Sequence, residues 1–255
     1  MTTLPTYDAE QLEALLDVLP GADAVELKLT VPGADHRRGL DRLGIDPLAA
    51  RIRQVAFLDT VGLQLTDAGV VLRARRTQHK AGDLTVKLRP MLPADVPAHL
   101  RDADGFKVEV DASPSGFTCS CSLTAQVPDP KARSLLAGGT AAAQVLTRTQ
   151  RQLVEDRLPA GVGLADLQVL GPLTLLRAKV APPDFGHRLV AELWFLPDGA
   201  RILELSMKAP PATAFQVAAE AKVFLAGRGF DLGAPQETKT RTALAALVAA
   251  LDEEM

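Results

Sequence analysis

The sequence contains little of what would mark a membrane protein, a disulfide-linked protein or a nucleic-acid-binding protein. No apolar run among its 255 residues approaches the roughly 18 residues that span a bilayer. Only two cysteines occur, Cys119 and Cys121, and residues two apart on one strand bridge poorly, so we expect both to be reduced. Aromatic residues make up 4% and the formal net charge is -3, whereas a nucleic-acid surface is basic and often carries stacking rings. We therefore expect no membrane partner and no nucleic-acid surface.

The N-terminal sequence also lacks the features of a secretory leader, because it is acidic where a signal peptide would be apolar. The expected location is the cytoplasm. Hydrophobic residues make up 47% and charged residues 23%, which is typical of a globular protein with a sizeable core. Since no segment has the composition of a long linker, residues 1–255 are predicted to form a single domain.

Helical periodicity predicts helices at both ends and in the middle of the chain. Leucines recur at helical spacing in residues 8–19. A helical insertion is predicted over about residues 129–158, and the part that follows a Gly-Gly-Thr sequence is predicted as one helix from 141 to 159. Two C-terminal helices are predicted over about 212–228 and 241–254.

Most of the remaining chain alternates apolar and polar residues, which is typical of strands with two different faces. In VELKLTV (25–31), for example, Glu26 and Lys28 lie on the polar face. The polar faces of the predicted strands together carry more basic than acidic residues, although the whole chain is acidic. The basic residues are Lys28, Arg73, Arg75, Lys87, Arg89, Lys107, Arg177, Lys179, Arg188 and Lys208, and the acidic residues are Glu26, Glu109, Asp111, Glu192 and Glu204.

Two arrangements would explain these charged faces. A sheet with one solvated side normally carries mixed charge on that side. However, a solvated face usually also contains many uncharged polar residues, and the predicted helices need apolar strand faces to cover. A sheet that closes into a barrel with helices outside would instead turn the charged faces inward and line a tunnel. Such a tunnel would need a charged ligand and balancing cations, because unpaired buried charges are costly.

The charged residue types narrow the class of ligand. Arginine and lysine around a cavity suit phosphate oxygens, and arginine can bind them bidentately. Carboxylates without histidine or cysteine partners suit a hard cation, Mg²⁺ or Mn²⁺, held by one or two protein oxygens and by the phosphates of the ligand. The two sets together indicate a complex of polyphosphate with a metal ion.

Several of these segments, in this order, resemble the CYTH domain of the triphosphate tunnel metalloenzyme superfamily. The resemblance covers roughly residues 24–241, and its most specific part is FLDTVGLQLTDAGVVLRARR (57–76). It implies an α+β fold, in which a closed antiparallel β-barrel of about eight strands is covered by helices. The superfamily includes inorganic, thiamine and RNA triphosphatases and class IV adenylyl cyclases.

The resemblance also implies roles for individual residues. Lys28 and Glu204 would be catalytic. Phosphate would be bound by Lys28, Arg73, Arg75, Lys87, Arg89, Lys107, Arg177, Lys179, Lys208 and Lys239, and Mg²⁺ or Mn²⁺ by Glu26, Glu109, Asp111, Glu192 and Glu204. Two positions depart from the family pattern, because Ala24 and Ser206 stand where acidic residues are expected. Two expected metal ligands are therefore missing.

The leading hypothesis for function is metal-dependent hydrolysis of a triphosphate-containing small molecule, such as inorganic, nucleoside or thiamine triphosphate. The same residues could instead cyclise ATP, with the ribose hydroxyl as nucleophile in place of water. The two missing acids favour a further alternative, a catalytically degenerate module that binds polyphosphate or a nucleotide without turnover. The sequence leaves the substrate, the nucleophile and the oligomeric state open, including a homodimer.

Overall fold

Nine β-strands form one closed barrel in the computed structural model of the chain, which describes residues 7–254. The strands are β1 (Ala24–Val31), β2 (Arg51–Asp59), β3 (Val70–Thr77), β4 (Gly82–Leu88), β5 (Phe106–Ser113), β6 (Gly116–Val127), β7 (Gln168–Val180), β8 (Leu189–Phe195) and β9 (Arg201–Ala209). Around the barrel they follow the order β1, β5, β6, β4, β3, β2, β7, β8, β9, and β9 pairs with β1 to close the ring. The structure confirms the predicted α+β class and the closed barrel.

One neighbouring pair of strands differs from the predicted antiparallel arrangement. β1 and β5 run parallel, with Ala24 opposite Glu109 and Glu26 opposite Asp111, whereas the other pairs around the described barrel are antiparallel. Parallel neighbours need a long crossover connection, and the chain from β2 to β4 supplies it. The ninth strand is β6, which was not predicted although its apolar and polar residues alternate over positions 117–127.

Eight α-helices surround the barrel in the described part of the chain. They are α1 (Ala9–Val18), α2 (His36–Arg42), α3 (Gln64–Asp67), α4 (Ala98–Arg101), α5 (Asp129–Leu136), α6 (Arg148–Glu155), α7 (Ala214–Gly227) and α8 (Lys239–Glu254). Residues 1–6 and 255, which the single-domain prediction includes, lie outside the described residues.

The helix predicted from 141 to 159 is shorter in the structure. Residues 142–144 form only a 3₁₀ turn, and α6 begins at Arg148 because Thr147 caps it. The Thr147 hydroxyl accepts from the Gln150 backbone N–H at 3.2 Å, and the Gln150 side-chain oxygen accepts from the Thr147 N–H at 3.1 Å. The Gln150 amide also donates to the carbonyls of Leu84 and Leu123, at 2.8 and 3.0 Å, and thereby fastens α6 to β4 and β6.

The apolar faces of the strands point outward and pack under the helices. One cluster joins α1, α2 and α7 to β1 and β9, and it includes Val25, Leu29 and Leu205. A second cluster joins the α3–α6 region to β3 and β4, and it includes Leu72 and Val86. Successive side chains of a strand point to opposite faces of the sheet. Because the apolar side chains are buried under the helices outside the barrel, the charged side chains point into it.

A third apolar cluster closes one part of the lumen. Phe57 lies directly opposite Arg73 in the β2–β3 pair, so both side chains point to the inner face of the sheet. Phe57 and Trp194 pack there against Leu244 and Leu247 of α8. The C-terminal helix therefore covers the apolar part of the lumen and leaves the charged part as a cavity.

Neither cysteine forms a disulfide, and both are buried against the outer clusters. Among the described residues, the structure contains no helix with the length and hydropathy that crossing a membrane requires.

Candidate functional site

A cavity of about 1610 Å³ occupies the barrel, and eleven basic and five acidic residues line it. Because the β-strand alternation directs them inward, the cavity brings together most of the predicted site residues: Glu26, Lys28, Arg73, Arg75, Lys87, Arg89, Lys107, Glu109, Arg177, Glu192, Glu204, Lys208 and Lys239. Asp111 lines a second cavity of about 240 Å³, which shares Lys28, Arg89, Glu204 and Lys239 with the first. The interior of the barrel therefore carries an excess of positive charge, although the net charge of the whole chain is -3.

A buried aspartate organises the turn that leads into β3, the strand that carries Arg73 and Arg75. Asp59 accepts hydrogen bonds from the backbone N–H groups of Leu65 and Thr66, at 2.8 and 2.9 Å, and from the Thr66 hydroxyl at 2.6 Å. The turn ends at Gly69, which has a φ of +78° and whose carbonyl accepts from the Arg89 N–H at 2.8 Å. This arrangement sets the start of β3, and with it the inward positions of Arg73 and Arg75.

Asp111 is the centre of the first group of ion pairs. Its carboxylate lies 2.9 Å from Lys87 Nζ, 3.0 Å from Lys28 Nζ and 3.8 Å from an Arg89 Nη atom. Burial alone would raise the pKa of the Asp111 carboxyl, but the two lysines outweigh it and the pKa is lowered. For Lys28, burial alone would lower the pKa, but Asp111 and then Glu26 raise it, so the Lys28 side chain is an ammonium at neutral pH.

Glu192 is the centre of the second group. Its carboxylate lies 2.7 Å from Lys239 Nζ, 3.3 Å from Arg177 Nε and 3.5 Å from an Arg53 Nη atom. Lys239 Nζ also lies 2.7 Å from Glu204. Burial alone would raise the pKa of Glu192, but Lys239 and the two arginines outweigh burial and lower the pKa, so that Glu192 is a carboxylate.

Glu26 and Glu109 form a less heavily neutralised edge of the cavity. They lie on the neighbouring strands β1 and β5, where Glu109 is directly opposite Ala24. Glu26 lies 3.2 Å from Lys28 Nζ, and Glu109 forms an ion pair with Lys208. Each of these two carboxylates has a single lysine partner within ion-pair distance in the described part of the chain.

Arginines with incomplete hydrogen bonding lie on the opposite side of the lumen. The Nε atoms of Arg73 and Arg53 are buried and have no hydrogen-bond partner among the described residues. Burial and, next, the positive charge of Arg75 lower the pKa of Arg73 to about 10. Burial, Arg75 and Arg177 likewise lower the pKa of Arg53 to about 10. Buried cations without full compensation are costly, so this cluster favours an anion in the cavity.

Lys179 is the predicted phosphate-binding residue that the structure does not place in either cavity lining. Its side chain is exposed, and the charges of Arg177 and then of Arg188 and Lys80 lower its pKa. β7 carries Lys179 past the cavity, two residues beyond Arg177. Lys107 lines the cavity but is exposed.

The structure also brings residues to the site that the sequence patterns did not single out. Arg53 is one, although its place two residues before the inward Val55 in β2 is a readable signal. Arg241 at the start of α8 is another. An uncharged wall of β4 and β6 contains Thr85 and Thr124, whose hydroxyls lie 2.9 Å apart. Hydroxyls on alternating strands carry no charge signal, so the pattern of charged residues missed them.

The predicted metal ligands do not form one cluster. Within residues 7–254, no group of three or more metal-binding side chains is close enough to hold an ion. Glu26 and Glu109 suit Mg²⁺ or Mn²⁺ in a different way, because Mg²⁺ is commonly bound by one or two carboxylates together with substrate phosphates. The donor set therefore fits a metal ion that arrives with a phosphate ligand.

The solved structures that share this fold include two adenylate cyclase candidates. An adenylyl cyclase candidate from Hippeastrum, for which a dominant triphosphatase activity is described, has a TM-score of 0.61 and 17% identity, covering 86% of this chain and 94% of its own. An adenylate cyclase candidate from Bacillus halodurans has a TM-score of 0.59 and 15% identity, covering 87% of this chain and 97% of its own. No protein-family profile and no curated protein matches the sequence. The chain thus has a helix-covered barrel fold that these two proteins share.

Proposed function

We propose that the protein binds the triphosphate group of a small molecule in the barrel and hydrolyses it with a divalent metal ion. The observation that carries this proposal is the excess of cations around Arg73, whose buried Nε atom has no hydrogen-bond partner in the described part of the chain. A triphosphate supplies several anionic oxygens and would relieve this imbalance. The two structures with the same fold, of which one is described as a triphosphatase, are in line with the proposal.

The phosphate chain would lie along the inner faces of β3, β4 and β7. The side chains that would bind it are Arg73, Arg75, Lys87, Arg89 and Arg177, with Arg53 added from β2. Guanidinium groups bind phosphate bidentately, and preorganised cations stabilise charge that moves onto the leaving phosphate. Catalysis in this design is mainly positioning and electrostatics.

Lys28 would donate to a phosphoryl oxygen. Since Asp111 and Glu26 raise its pKa, the Lys28 ammonium holds its proton at neutral pH and does not act as a general base toward water. Asp111 fixes this ammonium at 3.0 Å. The predicted catalytic role of Lys28 is therefore electrostatic.

Glu26 and Glu109 would hold Mg²⁺ or Mn²⁺ together with the phosphates. When bound, the ion neutralises phosphoryl oxygens and orients the attacking water. Lys28 forms an ion pair with Glu26, and Lys208 forms one with Glu109. Glu204, the other predicted catalytic residue, contacts Lys239 and would act by placing that lysine.

The test is phosphate release from tripolyphosphate, ATP and thiamine triphosphate with Mg²⁺ or Mn²⁺, combined with calorimetric binding. For Arg73→Gln we expect a loss of affinity of roughly 10- to 100-fold, because a charge-assisted hydrogen bond contributes about 1.5–3 kcal/mol. Arg38→Gln is the matched control, since Arg38 is exposed on α2 and pairs with Asp35 at 3.6 Å. If tripolyphosphate fails to bind the wild type at low salt, the proposal is wrong.

Binding without turnover is the second candidate function. It is favoured because each of the five predicted acidic ligands is already paired with lysine or arginine, and because Ala24 and Ser206 supply no further carboxylate. Tight binding of tripolyphosphate without release of phosphate would select this function. Formation of cyclic AMP from ATP in the same assay would instead select a cyclase.

A further inference from the structure

Lys239 lies between two carboxylates on adjacent strands. Its Nζ atom is 2.7 Å from Glu192 Oε2 and 2.7 Å from Glu204 Oε1, and these glutamates face each other directly in the β8–β9 pair. The same Nζ lies 5.0 Å from the centre of the Trp194 ring. The ammonium thus occupies the position at which a metal ion would bridge the two carboxylates.

The fold holds this lysine in place. Lys239 is the first residue of α8, and Ala243, Leu244 and Leu247 of the same helix are buried against the apolar lumen cluster. The Lys239 side chain is only 14% exposed. Burial would lower its pKa, but Glu204 and Glu192 outweigh burial and raise it, so the group is positively charged.

The local charges leave little attraction for a second cation. Glu192 and Glu204 carry two negative charges, whereas Lys239, Arg53 and Arg177 place three positive charges within ion-pair distance of them. A divalent ion would have to enter beside these cations, and the carboxylate oxygens nearest to it are bonded to Lys239. Glu192 and Glu204 therefore do not fit the metal-binding role that the sequence predicted for them.

We propose that the Lys239 ammonium takes the place of a divalent cation between Glu192 and Glu204. The β8–β9 side of the cavity then has a built-in cation, and a metal ion is needed only at the Glu26–Glu109 edge. The inference refines the metal requirement of the proposed function and in that respect rests on it. Its geometric part stands on the ion pairs alone.

The test uses Mn²⁺ alone as the probe, with binding counted by electron paramagnetic resonance of the free ion. In Lys239→Met the two freed carboxylates should gain a Mn²⁺ site that the wild type lacks, and Lys239→Met/Glu204→Gln should lose it again. Lys131→Met is the matched control, because Lys131 lies on α5 and donates to the Gln144 carbonyl at 2.7 Å. A folded Lys239→Met variant without the extra site would overturn the proposal.

A second variant keeps the test decisive if Lys239→Met does not fold. Glu204→Gln in the otherwise native protein should leave Mn²⁺ binding unchanged, since Lys239 and not a metal contacts Glu204. A loss of Mn²⁺ binding in Glu204→Gln would show that Glu204 is a metal ligand and would overturn the inference. Neither measurement depends on turnover or on triphosphate. The proposed function would instead fail if tripolyphosphate did not bind, so the two failures are distinguishable.

Discussion

Asp111 shows how much one residue can do in this lumen. Its side chain is 3% exposed and contacts two lysines and an arginine, so that it holds the cavity-lining lysines of β1 and β4 at fixed positions. Such a carboxylate stabilises the fold only while it is ionised. The pH dependence of the protein's stability therefore tests the role of Asp111.

We expect Asp111→Asn to lower the free energy of unfolding at pH 7 by about 3 kcal/mol, because removing one partner leaves buried lysines uncompensated. The folded-state pKa of Asp111 is lowered, so its contribution is present above the unfolded pKa of about 4 and is lost as the pH falls toward the folded pKa. The difference between wild type and Asp111→Asn in urea unfolding should therefore shrink as the pH is lowered from 5 toward 2. A difference that is constant with pH would contradict this role.

At the same scale, the sequence predicted which way the site residues point but not which residues pair. Alternation in β5 directs Lys107, Glu109 and Asp111 inward, as expected. It does not indicate that Asp111 meets Lys87 from β4, or that Lys239 reaches Glu192 from α8. These pairings depend on strand order around the barrel and on the placement of α8, which are non-local.

Among the elements, α8 has the clearest link to the site. Its buried side chains close the apolar part of the lumen, and its first residue enters the charged part. Packing of the helix and placement of the Lys239 ammonium are thus coupled through one rigid element.

For α8 we expect Leu244→Ala to lower the free energy of unfolding by about 2–5 kcal/mol, as for other buried leucines. Trp194 is the one tryptophan in the sequence and lies in the same cluster, so its emission should shift to the red in this variant. Leu48→Ala is the control, since Leu48 is 95% exposed and should change neither quantity. An unshifted emission in Leu244→Ala would show that α8 does not pack on Trp194.

The elements also show where sequence patterns succeed. The strict alternation of β1, β4 and β5 is enough to predict both the strand and its inner face. β6 was not predicted although its apolar and polar residues alternate, because its inward positions are serine, threonine and glutamine and carry none of the charges that mark the other inner faces. The parallel pairing of β1 with β5 has no local signature, since it depends on the crossover between them.

The whole molecule separates its charges by location, with apolar strand faces under the helices and an excess of cations inside. An acidic chain of net charge -3 thereby carries a basic interior. Mutual repulsion in the lumen opposes folding, and an anion that binds only the folded state relieves it.

We therefore expect tripolyphosphate at low salt to raise the melting temperature. At a concentration 100 times its dissociation constant, it should raise the free energy of unfolding by about 2.7 kcal/mol. The rise should decrease at high salt, where charges are screened. Monophosphate at equal ionic strength is the control and should have a smaller effect, because it spans fewer cations. Equal shifts with both anions would indicate non-specific screening and not a site for a phosphate chain.

The closing pair of the barrel determines when this protein can fold during its synthesis. β1 needs β5 on one side and β9 on the other, and β9 ends at Ala209. On the ribosome, the edge of β1 that β9 will cover stays unpaired until most of the described chain has been made, and an unpaired strand edge is a site for aggregation. Until β9 is made, we expect the lysines and glutamates that later line the cavity to face water, and charged side chains on an open sheet disfavour pairing with other nascent chains.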